Sequence, residues 1–178
     1  MPAEKPRAGS AEAIAFYNQA LTNPGASEPM FRSFYNFYPV VMKELGKKET
    51  KYYSQKWVTA DAKLREVVPQ KDSISKTDLL EMFYIKSMKG IVRAANLNYI
   101  EGNTASEIKA ASADAFRKLC DDKLIEAIEA LTLLGGVGPA TAVCILSYKA
   151  PEKIAFASDQ VLDVINQHIP RNYTTTDC

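Results

Sequence analysis

Apolar residues recur at three- and four-residue spacing along most of the chain, the period of helices with one buried face. Ile14, Tyr17 and Leu21 share a face over 11–21, and Thr22-Asn23-Pro24-Gly25 closes that segment. An aromatic-rich helix is predicted over 31–45, interrupted near Tyr38 because Pro39 disfavours an α conformation before it. Trp57, Val58, Leu64, Val67 and Val68 predict a helix over 57–68, stopped by Pro69. Ser75-x-x-Asp78 resembles a capping box with Asp for Glu, and opens a helix to about Lys89. Gly90 interrupts, and 91–97 predicts a further turn or two.

Thr104-x-x-Glu107 is a capping box and opens a helix over 105–120. Asp121 is expected to cap the next, over 122–134. Pro139 suits a first helical position, so a helix is predicted over 139–149, with Pro151 beyond it. Asp159 or Ser158 caps a last helix over 160–168, stopped by Pro170. Period-2 runs of β-branched residues are missing, and no internal repeat appears. The expected architecture is all-α: a disordered tail at 1–10, a single helical domain over 11–169, and a tail at 170–178.

Composition narrows the chemistry. With 178 residues, 47% hydrophobic and 24% charged, the chain can bury a core without staples. No apolar run spans a bilayer and 1–10 lacks a secretory h-region, so no membrane is expected as partner. Three cysteines (Cys120, Cys144, Cys178) and the lone His168 argue against a disulfide framework, a Cys-based zinc or iron–sulfur site and a His-rich metal site. A reducing compartment, nucleus or cytosol, follows, with a monomer expected. The net charge is only +1, but Val41 to Arg93 holds 12 Lys/Arg against 7 Asp/Glu.

The most informative stretch is Leu131-Thr132-Leu133-Leu134-Gly135-Gly136-Val137-Gly138-Pro139-Ala140-Thr141-Ala142. Two apolar helices flank a glycine turn. Val137 between two glycines is unusual for a solvated turn and suggests a side chain directed back between the helices. A Rossmann turn is excluded, since no strand precedes it and the third Gly is missing; a P-loop is excluded by the absent Gly-Lys-Ser/Thr ending. A tight helical corner with glycines for close packing and no ligand is the plain alternative.

Leu134-Gly135-Gly136-Val137-Gly138, with the small Ala142 beyond, resembles the helix-hairpin-helix motif, with Gly135 where Pro is usual. The motif spans about 122–149. The resemblance implies DNA-backbone binding through the amides of Gly136, Gly138 and Ala140, at a helix start where N–H groups are unpaired and the macrodipole is positive. It also implies a monovalent cation, potassium or sodium, on the carbonyls of Thr132, Leu134 and Val137.

Farther on, Pro151 to Val161 is similar to the segment that carries the catalytic aspartate in helix-hairpin-helix DNA glycosylases, and Asp159 occupies the matching place. A carboxylate there would stabilise an oxocarbenium-like transition state at the sugar of a flipped nucleotide. Asp at a helix start is equally an ordinary N-cap. Ala140 stands where bifunctional members carry a Schiff-base lysine, so the implied enzyme is a monofunctional N-glycosylase. The Asp-x-His-Val-x-Arg continuation and the four-Cys cluster are absent, and the chain stops soon after Asp159, before the helices that complete a glycosylase cleft. The wider pattern from Trp57 through Lys86, Lys89 and Arg93 to Asp159 resembles a group of eukaryotic proteins, a likeness that carries no activity.

Lys86, Lys89 and Arg93 share one face if their helix continues through Gly90, and are candidate phosphate contacts. Lys47, Lys48, Lys51 and Lys56 interleave with Tyr52, Tyr53 and Trp57, a composition suited to phosphate contact plus base stacking. A solvated face with anchoring aromatics is the alternative for both. The expected partner is double-stranded DNA, damaged or intact. The competing readings are a DNA glycosylase, a non-catalytic DNA-backbone binder, and an interaction scaffold.

Overall fold

Ser54 and Pro69 bound the first fully described helix, as residues with their chemistry should. In the computed structural model, which describes residues 38–40, 42–44, 46–89 and 94–156, α1 runs Gln55–Val67. The Ser54 hydroxyl accepts the Lys56 N–H, and a 3-10 turn at Val68–Gln70 takes Pro69. Helical residues at 38–40, 42–44 and 46 precede it.

α2 spans Lys76–Lys89. The Asp variant of the capping box forms: Ser75 Oγ accepts Asp78 N–H at 3.1 Å, and Asp78 Oδ2 accepts Ser75 N–H at 2.8 Å. The Lys71 ammonium sits 2.7 Å from the same oxygen. α3 spans Ala94–Gly102, longer than the turn expected near 91–97. α4, Ala105–Cys120, opens on the complete Thr104/Glu107 box.

The next helix departs from expectation. Asp121 does not cap it but closes α4, giving its N–H back to Arg117. Asp122 takes a left-handed φ of 56°, so α5 begins at Leu124 and ends at Thr132. A short acidic residue can cap a helix or tolerate a left-handed turn, and here the turn wins. α6 spans Pro139–Lys149, with Gly138 as N-cap and Pro139 in the first turn.

Every regular element among the described residues is helical, so the fold is all-α. α6 packs against α1, α2 and α5, while α4 and α5 pair as a hairpin. Thr141 to Leu146 is buried without a break, the pattern of a helix enclosed on all sides. Around it lie Leu64, Leu79, Ile85, Ile128 and Leu131, each fully shielded. Ser112 ties the loop before α2 to α4: its hydroxyl accepts Ile74 N–H at 3.0 Å and donates to Ile108 O at 2.7 Å. Among the described residues no helix is long and apolar enough to cross a membrane. The segments expected at 11–21 and 160–168 lie outside the described residues, as do Asp159, Arg93 and Gly90.

Candidate functional site

The glycine turn joins α5 to α6, and its shape follows from four residues. Leu134 and Val137 are buried, and Val137 N–H donates to Leu134 O at 3.1 Å, which folds the turn onto itself. The Val137 side chain thus lies in the protein interior, as its apolar character suggested. Gly136 has φ +77°, a conformation that L side chains rarely adopt.

Space around the glycines differs sharply. A Cβ on Gly136 would lie 2.6 Å from Asn96 O and 2.8 Å from Ile100 Cγ1. The backbone that approaches Gly136 is therefore α3, not a foreign strand. Around a Cβ on Gly138 nothing lies within 4 Å, and its backbone is extended at φ −86°. Gly138 is the glycine that faces open space.

Asn103, at the end of α3, fixes the turn. Its Oδ1 accepts Gly135 N–H at 2.8 Å, and its Nδ2 donates to Gly135 O at 2.9 Å. The same Nδ2 meets Tyr99 O and Ile100 O at 3.0 and 3.1 Å. One donor opposite Oδ1 and three carbonyls opposite Nδ2 define a single orientation of the amide. Asn103 went unnoticed in the sequence, where a lone Asn after Gly102 reads as helix-end punctuation.

Among the described residues, the amides of Gly136, Gly138 and Ala140 have no hydrogen-bond partner. They belong to the first turn of α6 and the loop before it, where orphan donors are expected. On the acceptor side, the Thr132 and Val137 carbonyls receive no hydrogen bond among the described residues, and Leu134 O receives one. Each of the three carbonyls therefore keeps at least one free lone pair. An open depression of about 500 Å³ runs along the turn, lined by Asn96, Tyr99, Leu133, Gly136 and Gly138. Leu133 and Tyr99 are 84% and 66% exposed at its rim.

The basic residues separate. Lys86 is half-buried on α2, with no carboxylate within ion-pair distance among the described residues. Lys89, a candidate phosphate contact by spacing, turns inward instead. Its side chain is 11% exposed and its ammonium lies 3.3 Å from Asp61 Oδ1, near the rings of Tyr38, Tyr148 and Phe156. An ammonium enclosed this way is not presented to a phosphate.

Asp61 centres a buried network that the sequence reading missed. Tyr38 Oη donates to its Oδ2 at 2.8 Å, Arg65 Nε donates to the same oxygen at 3.1 Å, and Tyr148 Oη donates to Oδ1. Arg65 Nη2 also reaches Tyr38 Oη at 3.2 Å. Burial alone would raise the Asp61 carboxyl; Lys89 foremost, then the Tyr148 hydroxyl and Arg65, overcome it and hold it below the usual range. Burial, with Asp61 beside it, drives the Tyr38 hydroxyl up. Cys144 is buried and its thiol is pushed up to about 11, which leaves it unreactive. A signal existed: Asp61 falls between Trp57 and Leu64 on the apolar face of α1, where a carboxylate needs partners.

Compared with protein-family models, curated proteins and solved structures, the chain matches none.

Proposed function

We propose that the α5–α6 turn is a helix-hairpin-helix and that the protein grips the backbone of double-stranded DNA through it. The observation that carries this reading is the state of the α6 N-terminus. The amides of Gly136, Gly138 and Ala140 have no partner among the described residues, and the open side of Gly138 gives a phosphate room to approach. The buried Val137 and the Asn103 clamp hold these donors in place, so little ordering cost accompanies binding. A potassium or sodium ion on the carbonyls of Thr132, Leu134 and Val137 would add positive charge beside the phosphate. Lys86, without a carboxylate partner among the described residues, and Arg93 are proposed as further phosphate contacts from their places in the sequence. The contact is to backbone, so the reading predicts affinity without sequence preference.

Gly138→Asp tests it. Asp is a good N-cap, so the variant should fold at least as well as the parent. Its carboxylate would occupy the α6 amides and repel phosphate. Duplex affinity by fluorescence anisotropy should fall about tenfold or more, equivalent to at least 1.4 kcal/mol, with helix content unchanged by circular dichroism. A folded variant that binds duplex as tightly as the parent refutes the reading. Monofunctional base release through Asp159 is the further proposal on this scaffold. Asp159→Asn should abolish it while sparing affinity, because Asn caps as well as Asp but carries no charge.

A further inference from the structure

Four large hydrophobic side chains are exposed among the described residues, and two of them, Leu133 and Tyr99, stand on the depression along the α5–α6 turn. A lone exposed Leu needs no explanation. An apolar pair is a patch, and this one lies at the proposed binding face. The helices set the placement. Leu131 and Leu134 are buried, so the end of α5 turns Leu133 outward; Leu97 and Ile100 are buried, so α3 turns Tyr99 outward. One clamp ties both sides together: Asn103 Nδ2 donates to Tyr99 O at 3.0 Å and to Gly135 O at 2.9 Å. The backbone that carries the pair is thus ordered before any ligand arrives.

No carboxylate or ammonium lines the depression. A phosphate therefore meets no repelling charge there, and a charged protein surface finds nothing to pair with. In a duplex, the apolar surface nearest a phosphate is its own deoxyribose, whose C1′ and C4′ edge walls the minor groove. That groove is about 6 Å wide, too narrow for a helix but open to single side chains, and Leu is among those that proteins insert there. In RNA the same wall carries 2′-hydroxyls, which an apolar side chain would desolvate without pairing.

We propose that Leu133 and Tyr99 pack on the deoxyriboses flanking the phosphate at the α6 start, with Leu133 entering the minor groove, and that this contact selects duplex DNA over duplex RNA. The inference rests on the hairpin reading: the amides supply the phosphate contact, and the apolar pair supplies the choice of sugar.

The full chain, Leu133→Ser, Tyr99→Ser and Gly138→Asp should be compared on a DNA duplex and on the RNA duplex of the same sequence, by fluorescence anisotropy across a salt series. Both Ser variants should keep the helix content of the parent by circular dichroism, since each removes an exposed side chain. The parent should bind DNA more tightly than RNA. Leu133→Ser should weaken DNA binding about tenfold, the loss of an aliphatic side chain buried in the complex. It should leave the salt slope of log K unchanged, because no counterion is involved, and bring the DNA and RNA affinities closer. Tyr99→Ser should act in the same direction. Gly138→Asp should weaken both duplexes together, because the phosphate is common to them. Either Ser variant binding DNA as tightly as the parent, while Gly138→Asp binds it more weakly, overturns the sugar contact and leaves the hairpin reading standing. Equal affinity of the parent for DNA and RNA, equal losses on both duplexes in the Ser variants, or an altered salt slope overturns it as well. Sedimentation tests the other occupant: a parent dimer that Leu133→Ser renders monomeric assigns the patch to a second copy of the chain and overturns the proposal. A parent that binds no duplex refutes the hairpin reading and this inference with it.

Discussion

The two ends of α6 treat polar groups in opposite ways. At its N-terminus, the amides around Gly138 have no partner among the described residues and lie beside an open depression. Near its C-terminus, Tyr148 donates to the buried Asp61, and the Lys149 ammonium is spent on Pro69 O and Lys71 O at 2.9 and 2.7 Å. One end is left available and the other is closed. The same α6 is thus anchored by its final turn, and that anchorage lets its first turn hold donors in a fixed array. Satisfied buried networks specify a structure, while exposed donors at a helix start are left to water or a ligand.

The largest effect should come from opening the closed end. Asp61→Asn keeps the shape but leaves Lys89 and Arg65 facing an uncharged amide. Breaking one partner of a buried ion pair costs about 3–5 kcal/mol, measurable by urea denaturation at neutral pH. The pH dependence has a definite sign. The Asp61 carboxyl is held low in the folded protein, so its contribution is complete above its unfolded pKa near 4 and is lost as pH falls through the folded value. The gap between parent and variant should therefore narrow in acid. A gap that widened below pH 4 would contradict the charged Asp61.

A smaller effect separates the two glycines of the turn. Gly136→Ala must both adopt a positive φ and displace the α3 backbone at Asn96, a combined cost of about 2–4 kcal/mol. Gly138→Ala meets open space and loses only some N-cap preference, about 0.5–1 kcal/mol. Thermal unfolding of the pair checks this directly, and equal losses would show that the turn is not seated on α3.

Much of the frame was legible because local chemistry decided it. Capping residues at Ser75, Asp78, Thr104 and Glu107 act within four residues of themselves, so spacing alone located α2 and α4. Pro139 and Val137 likewise carry their roles in their own side chains. What stayed hidden depends on residues far apart in the chain. Tyr148 meets Asp61 across 87 positions, and Asn103 meets Gly135 across 32. Asp121 was misread for a different reason: the same residue type serves helix starts and left-handed turns, and only the path from α4 to α5 selects between them. Gly136 and Gly138 look alike in sequence, yet one answers to α3 and the other to open space.

The two lysines of α2 divide the same way, one spent on the fold and the other not. Helical spacing gives Lys86 and Lys89 one face, yet Lys89 is enclosed against Asp61 while Lys86 has no carboxylate partner among the described residues. Lys86→Ala removes a charge that the fold does not use, so stability should change by no more than about 0.5 kcal/mol. If Lys86 neutralises a phosphate, the slope of log K against log salt should become shallower by about 0.9, with all sequences weakened alike. Lys89→Ala should do the reverse. It strips the buried Asp61 of its closest ammonium and costs stability, while the salt slope of the fraction that remains folded stays at the parent value. Measuring both variants at the same salt series makes each the control for the other. A salt slope altered by Lys89→Ala and untouched by Lys86→Ala would mean that the enclosed lysine swings out to the DNA, and the division between a closed end and an available end would fail at its simplest point.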